Sequence, residues 1–335
     1  MDIGIIGCGL IGQKRANSIR NLGLDRIMVA CDKVTASATR VAACHPGCQV
    51  TEDWRQVLAM PGIEAVVVAT VHGALAEITS AALASGRHVL VEKPAARTAA
   101  ELAPVAELYR NLKETRKVKC MVGFNHRFHP ALQQARRIVD SGALGNLMFV
   151  RGRYGHGGRP GYEKEWRADP VLSGGGELLD QGMHLIDLSR WFLGDFAKVQ
   201  GTVHTYFWDM QVDDNAFMTL ETAGGQVAHL QVSWTEWKNL FSMEIYGRQG
   251  KLQIDGLGGS YGVERLSHYQ MLPQMGPPET LIYEYPGADL SWDTEWKEFR
   301  LAISEDRDPV GDLFDAYQAH RIVDQIYREN RRDHR

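Results

Sequence analysis

The chain has 335 residues, long for a single hydrophobic core, and its 44% hydrophobic and 23% charged content are those of a soluble globular protein of two domains. A formal net charge of -4 and a pI near 6.3 exclude the basic footprint of a nucleic-acid-binding protein. No apolar run is long enough to span a bilayer, so no membrane partner is expected, and MDIGIIGCG, with an acid at its second position, does not read as a signal peptide. Five cysteines (Cys8, Cys31, Cys44, Cys48, Cys120), an odd count without an export signal, predict reduced thiols and a cytoplasmic location. The one close pair, in CHPGC, is far short of a four-ligand zinc site, and no metal is expected.

Residues 1–123 alternate short β-branched runs with helical segments, the pattern of βαβ units. Strands are predicted at Asp2–Gly7, Arg26–Asp32, Ala65–Thr70, His88–Lys93 and Lys119–Phe124, with helical patterns such as LIGQKRANSIRNL and ALAEITSAALAS between them. The strands are nearly continuous apolar runs, as in a doubly wound parallel sheet covered on both faces. That predicts an N-terminal Rossmann domain over 1–123.

From 124 to 335 the pattern changes. A helix over Ala131–Asp140 and a strand over Leu147–Arg153 lead into a Gly/Arg-rich loop, RYGHGGRPGYEKEWRADP, too long and too charged for an idle connection. A helix begins near Glu177. Long strands follow (VQGTVHTYFW, NAFMTLET, QVAHLQVSW, FSMEIYG, KLQIDG), two pairs of them joined by AGG and RQG turns that suit hairpins. Helices near Ser291–Ile303 and Asp312–Glu329 close the chain. This predicts an α+β domain with a large, mostly antiparallel sheet. One free face of such a sheet would be buried against another subunit, predicting a homodimer or homotetramer. Trp208, Trp234 and Trp237 fit sheet packing better than ligand binding.

GCGLIG, from Gly7 through Cys8, Gly9, Leu10 and Ile11 to Gly12, follows the first strand and opens a helix. In that setting Gly7 allows a tight turn, Gly9 the close approach of a pyrophosphate, and Gly12 the packing of helix on strand. The helix N-terminus then offers its N–H groups to the diphosphate. Asp32 ends the second strand, where an acid accepts both adenosine ribose hydroxyls and repels a 2′-phosphate, so NAD is favoured over NADP; the neighbouring Lys33 partly offsets that repulsion. VEKP, Val91 to Pro94, sits at a strand's C-terminal end, where parallel sheets bind ligands, and Lys93 there would lie at the nicotinamide end of the cofactor.

These residues, together with GFNHRF (Gly123–Phe128) and GGGELLDQGMHLIDLSRWFLG (Gly174–Gly194), resemble the glucose–fructose oxidoreductase, inositol dehydrogenase and rhizopine catabolism (Gfo/Idh/MocA) family. The resemblance implies a Rossmann domain followed by an open-faced α/β domain, with NAD(P) between them. It also implies oxidation of a ring hydroxyl on a sugar, nucleotide-linked sugar or cyclitol. Lys93 matches the family's EKP lysine, and Asp180 and His184 match its catalytic acid and histidine. In TVHGAL (Thr70–Leu75) the chain departs from the family's Thr-Pro-Asn, so the cofactor contacts carried to Thr70 and His72 rest on a changed motif; Glu92 is carried over with EKP.

Oxidising a secondary alcohol needs a base for the hydroxyl proton, and histidine suits it with an unperturbed pKa of ~6.5. His184 is the candidate. Asp180, four residues earlier, either orients the imidazole or contacts a substrate hydroxyl; Asp187, three later, is either a third member of that face or a buttress. Lys93 would stabilise the developing alkoxide. Asn125, Arg127, Arg153, Tyr154 and Trp166 are expected to line the substrate pocket, and Gly174–Gly176 to let the backbone approach the nicotinamide. Two other functions fit the same scaffold: an NAD-dependent glycosidase acting by transient oxidation, and a non-catalytic NAD-binding sensor.

Overall fold

The computed structural model describes residues 1–333, which form two compact units. The first comprises Met1–Phe124, Val171–Gly174 and Trp292–Gln318; the second comprises Asn125–Pro170, Gly175–Ser291 and the chain from Ala319. The division expected from sequence, 1–123 and 124–335, thus differs in assigning the two later segments to the second domain. Those segments have their packing partners in the first unit. Trp296, Phe299 and Ala302 are buried, Trp296 Nε1 donates to Asp25 at 2.9 Å, and Arg300 pairs with the same carboxylate at 2.8 Å.

In the first unit, β1 (Asp2–Ile6), β2 (Arg26–Cys31), β3 (Gln49–Thr51), β4 (Ala65–Val68), β5 (His88–Val91) and β6 (Cys120–Val122) form one sheet in the order β3-β2-β1-β4-β5-β6. Every pairing is parallel. Helices α1 (Leu10–Leu22), α2 (Thr35–Ala42), α3 (Trp54–Ala59), α4 (His72–Ala84) and α5 (Ala99–Arg116) connect the strands. β4 is buried along its whole length, the reason its sequence is unbroken AVVV. The strand order reverses between β1 and β4, the switch point beside which open α/β sheets bind nucleotides. β3 escapes the sequence pattern because it is only three residues, QVT.

Arg15 on α1 is 1% exposed, and its guanidinium pairs with Glu92, at 2.6 Å, and with Glu295. The Trp292 ring lies 4.5 Å from it. A cation this deeply buried is stable only with anionic partners, so α9 (Ser291–Ser304), which carries Glu295, is fastened to the Rossmann sheet.

The second unit opens with a 3-10 turn at Asn125–Phe128 and α6 (Pro130–Asp140), followed by β7 (Leu147–Gly155). The Gly/Arg-rich loop carries two further 3-10 turns, Tyr162–Lys164 and Trp166–Ala168, and runs into α7 (Pro170–Ser173). A π-helical turn, Leu178–Gly182, passes into α8 (Met183–Leu193). The sheet is completed by β8 (Phe196–His204), β9 (Asn215–Thr222), β10 (Val227–Ser233), β11 (Leu240–Gly247), β12 (Gly250–Asp255), β13 (Glu264–Gln270) and β14 (Glu279–Tyr285); α10 (Leu313–Asp333) begins in the first unit and ends in the second. The order is β14-β13-β12-β11-β7-β10-β9-β8, antiparallel except where β10 runs beside β7. Strict alternation buries Phe241, Met243 and Ile245 of β11 on one face and leaves Ser242, Glu244 and Tyr246 on the other. Trp234 is fully buried, with the Tyr162 ring edge-on at 5.0 Å, so this tryptophan is core; Trp237 is exposed.

The glycine triplet has three separate packing reasons. A Cβ on Gly174, whose φ is +84°, would sit 2.5 Å from the Arg97 Cβ; one on Gly175 would sit 2.4 Å from the Tyr327 hydroxyl; one on Gly176 would sit 2.0 Å from the Asp213 carbonyl oxygen. All three glycines are thus required by close contacts within the chain itself. Asp213 also receives the Gly176 N–H at 3.0 Å, the Leu178 N–H at 2.8 Å and the Tyr327 hydroxyl at 2.7 Å, capping the π turn. Gly176→Ala is expected to destabilise the protein by about 1–3 kcal/mol, the cost of overpacking against backbone, visible as a lower urea midpoint; an unchanged midpoint would refute the contact.

Candidate functional site

In the first unit the glycine fingerprint divides by role. Gly7 has φ +92°, and a Cβ there would lie 2.3 Å from the Ala69 carbonyl oxygen; a Cβ on Gly12 would lie 1.9 Å from the Gly7 carbonyl oxygen. Both are demanded by the chain. At Gly9 a Cβ would meet nothing within 4 Å. Gly9 is also the N-cap of α1, with no side-chain cap and no acidic residue in the first turn. An open space over an uncapped helix N-terminus is a cradle for an anionic diphosphate.

Beside it, the Asp32 carboxylate is pre-set. One oxygen accepts the Cys8 N–H at 2.7 Å and the other the Val34 N–H at 2.8 Å, leaving lone pairs for ribose hydroxyls. Lys33 is exposed. The Cys8 thiol is buried and pushed up to about 12 by that burial and by Asp32, so it stays protonated and only its backbone takes part. Leu10 is largely exposed and Ile11 half-buried at the helix start. These groups fit a dinucleotide.

The remaining residues expected at the cofactor are placed less uniformly. Thr70 is half-buried, with its hydroxyl donating to the Val71 carbonyl at 3.2 Å. His72, the first residue of α4, is buried with Nδ1 2.8 Å from the Ser173 carbonyl; that oxygen accepts only, so the Nδ1 proton is donated to it. In place of the family's asparagine, this imidazole ties down the Val171–Gly174 segment. The Glu92 side chain serves the Arg15 strut. Lys93 follows β5, half-buried, with a cis peptide bond to Pro94.

In the second unit Asp180 lies in the π turn and His184 in the first turn of α8, both buried. Arg167 Nε approaches the Asp180 carboxylate at 3.2 Å and its guanidinium lies 4.6 Å over the Trp166 ring. The His184 ring is stacked on His126 and meets Tyr154 edge-on. Burial pushes the Tyr154 hydroxyl far above its usual range, so it stays neutral. Asp187 is a buttress: it takes two hydrogen bonds from Arg127, at 2.8 and 2.6 Å, in a fully buried pair. Asn125 donates to Ser291 Oγ at 3.0 Å.

Tyr154, Trp166, Asp180 and His184 are thus joined into one patch through His126 and Arg167. Arg127 and Asn125 stand behind it, their polar groups used within the unit. Arg153, expected in the pocket, lies elsewhere: alternation along β7 turns Tyr154 toward α8 and Arg153 to the opposite face, beside Gln231 and Ser242. His126, Arg167 and Asp213 were missed. His126 stands inside the quoted GFNHRF, and Asp213 precedes β9 in VDDN. Nothing local says that either meets the Gly174–Gly194 segment.

Residues 1–124 match the family model described as an oxidoreductase family with an NAD-binding Rossmann fold, and residues 132–253 match the GFO/IDH/MocA C-terminal domain. Levoglucosan dehydrogenase of Pseudarthrobacter phenanthrenivorans is 27% identical over 75% of this chain and 73% of its own length. The scyllo-inositol 2-dehydrogenase (NAD(+)) of Bacillus subtilis is 27% identical over 84% of this chain and 79% of its own. Among solved structures, a levoglucosan dehydrogenase in complex with NADH and levoglucosan superposes with a TM-score of 0.87 at 24% identity, covering 99% of this chain and 97% of that one. An oxidoreductase domain protein from Kribbella flavida superposes with a TM-score of 0.89 at 25% identity and the same coverage. With a family model on each of its two halves, the chain belongs to the GFO/IDH/MocA family and is an oxidoreductase whose first unit is the family's NAD-binding Rossmann fold.

Proposed function

We propose that this oxidoreductase oxidises a ring secondary hydroxyl of a sugar, nucleotide-linked sugar or cyclitol, with His184 as proton acceptor, Lys93 as the cation on the reacting oxygen, and Asp180 as the group that aligns imidazole or substrate. Bound NAD supplies the hydride acceptor. The observation that carries the reading is the construction around His184: its ring is stacked at 3.8 Å, on a helix whose π-helical start is tied to Asp213. A buried, oriented imidazole can accept a hydroxyl proton at neutral pH. Lys93 at the end of a parallel strand supports the developing alkoxide. The Arg167 guanidinium lies over one face of the Trp166 ring, and the other face is the one we assign to a sugar. Levoglucosan and inositol, named for the relatives, are ring polyols without charge.

The second proposal concerns assembly. The sheet face carrying Arg151, Arg153, Phe217 and Glu244 has exposed or half-buried side chains around a concavity of about 340 Å³. Phe149 and Tyr246 stack there at 4.2 Å. A second copy of this chain would cover it, giving a homodimer or homotetramer.

Three outcomes are expected. Lys93→Ala and His184→Asn each lower NADH formation from myo-inositol or levoglucosan on the order of 10²–10⁴-fold while NAD binding, read by calorimetry, persists; wild-type rates in both variants would end the proposal. Asp32→Ala weakens NAD roughly tenfold or more through lost charge-assisted hydrogen bonds, and narrows the preference over NADP; unchanged affinities would remove Asp32 from the site. Light scattering is expected to give a multiple of the 37.4 kDa chain mass, and Arg153→Glu to lower it; a monomer throughout would refute self-association.

A further inference from the structure

The second unit brings two imidazoles together where alcohol oxidation needs one. The His126 and His184 ring centroids are 3.8 Å apart, with their planes 21° from parallel. Both residues are buried. His126 is itself oriented through a chain of side chains. Its Nδ1 is 3.2 Å from Asn125 Oδ1, Asn125 Nδ2 donates to Ser291 Oγ at 3.0 Å, and the Ser291 hydroxyl donates to Asp289 Oδ1 at 2.6 Å.

The direction of donation along this chain is set from its far end. An ionised carboxylate only accepts, so the Ser291 hydroxyl gives its proton to Asp289 and offers a lone pair to the Asn125 amide. Asn125 must then turn Oδ1 toward the imidazole, and His126 Nδ1 must carry a proton. A phenylalanine would fill the same space without that polar support. An imidazole buried there needs that support, because a buried polar group without a hydrogen bond is costly.

We propose that His126 is a positioning residue for His184: stacking fixes the plane of the proton-accepting ring, and the shared face prevents both rings from being cations at once, which biases His184 toward its neutral, accepting form. This rests on the assignment of His184 as the base. Like charges in contact disfavour double protonation. Several of the other ionisable groups around the stack are paired or held neutral. Tyr154, 5.0 Å from His126 and 6.2 Å from His184, is held neutral by burial. His129, 5.6 Å from His126, pairs with Glu264 at 3.0 Å. Arg127 pairs with Asp187, and Asp180 with Arg167, while the buried Glu177 lies before the π turn.

The test uses full-length, NAD-loaded protein with 13C-labelled histidine, titrated by NMR without substrate. His126→Phe keeps a stacked ring but removes the second proton site. The His184 midpoint is expected to rise by about one pH unit, and the acid limb of kcat/KM for myo-inositol or levoglucosan, whichever is oxidised, to rise with it. His126→Ala also releases the ring plane, and is expected to lower kcat about tenfold or more with KM little changed. A His184 midpoint unmoved by His126→Phe, or wild-type kcat in His126→Ala, overturns the proposal. If His184→Asn turns over at the wild-type rate, the assignment of the base fails instead; the titration still reports whether the two rings are coupled.

Discussion

The carboxylate of Asp213 is the constraint on which the second unit's site depends. It is buried, and its two oxygens take backbone N–H groups of Gly176 and Leu178 and the hydroxyl of Tyr327. Burial raises its pKa, and those donors act against the rise. Because Asp213 presses its own carbonyl against Gly176, no side chain fits at that position. The wide π turn begins from this anchor, and Asp180 and His184 take their places from the turn. Changes of hydrogen-bond register of this kind recur at functional sites because they re-aim side chains that a regular helix would place elsewhere.

The first unit shows a comparable division of labour inside one short motif. In VEKP the glutamate is structural: Glu92 neutralises Arg15, which also holds Glu295. The next residue, Lys93, is the cation we propose at the reacting oxygen. Anchoring its immediate neighbour in a buried ion triad fixes the backbone that presents the lysine. Removing Arg15 would leave two buried carboxylates uncompensated, at a cost of about 3–5 kcal/mol. The motif therefore couples placement of Lys93 to the integrity of the sheet.

How much was legible in the sequence follows from which interactions are local. Continuous apolar runs and a glycine fingerprint announce a Rossmann sheet because each needs only its own few residues. Asp180 and His184 were marked as candidates by the family motif in which they stand, with their helical spacing as support. β13 and β14 were not, since ERLSHYQ and the largely exposed ETLIYEY lack a clear apolar alternation. The amphipathic α9 announces a buried face, but not that its partner is Arg15 on α1. His126, Arg167 and Asp213 were missed for the same reason: each acquires its role from a partner brought near only by the fold. Arg153 was misplaced because a one-residue difference in strand parity separates it from Tyr154.

The glycine fingerprint separates two kinds of necessity. Gly7 and Gly12 are required by neighbouring backbone whether or not a nucleotide is present, whereas the space at Gly9 is empty of protein. The first two answer to the fold, and the third leaves room for a ligand at the helix N-terminus. A descendant of this chain that abandoned the nucleotide would keep Gly7 and Gly12 and drift at Gly9, so the middle glycine records whether the lineage still binds its cofactor.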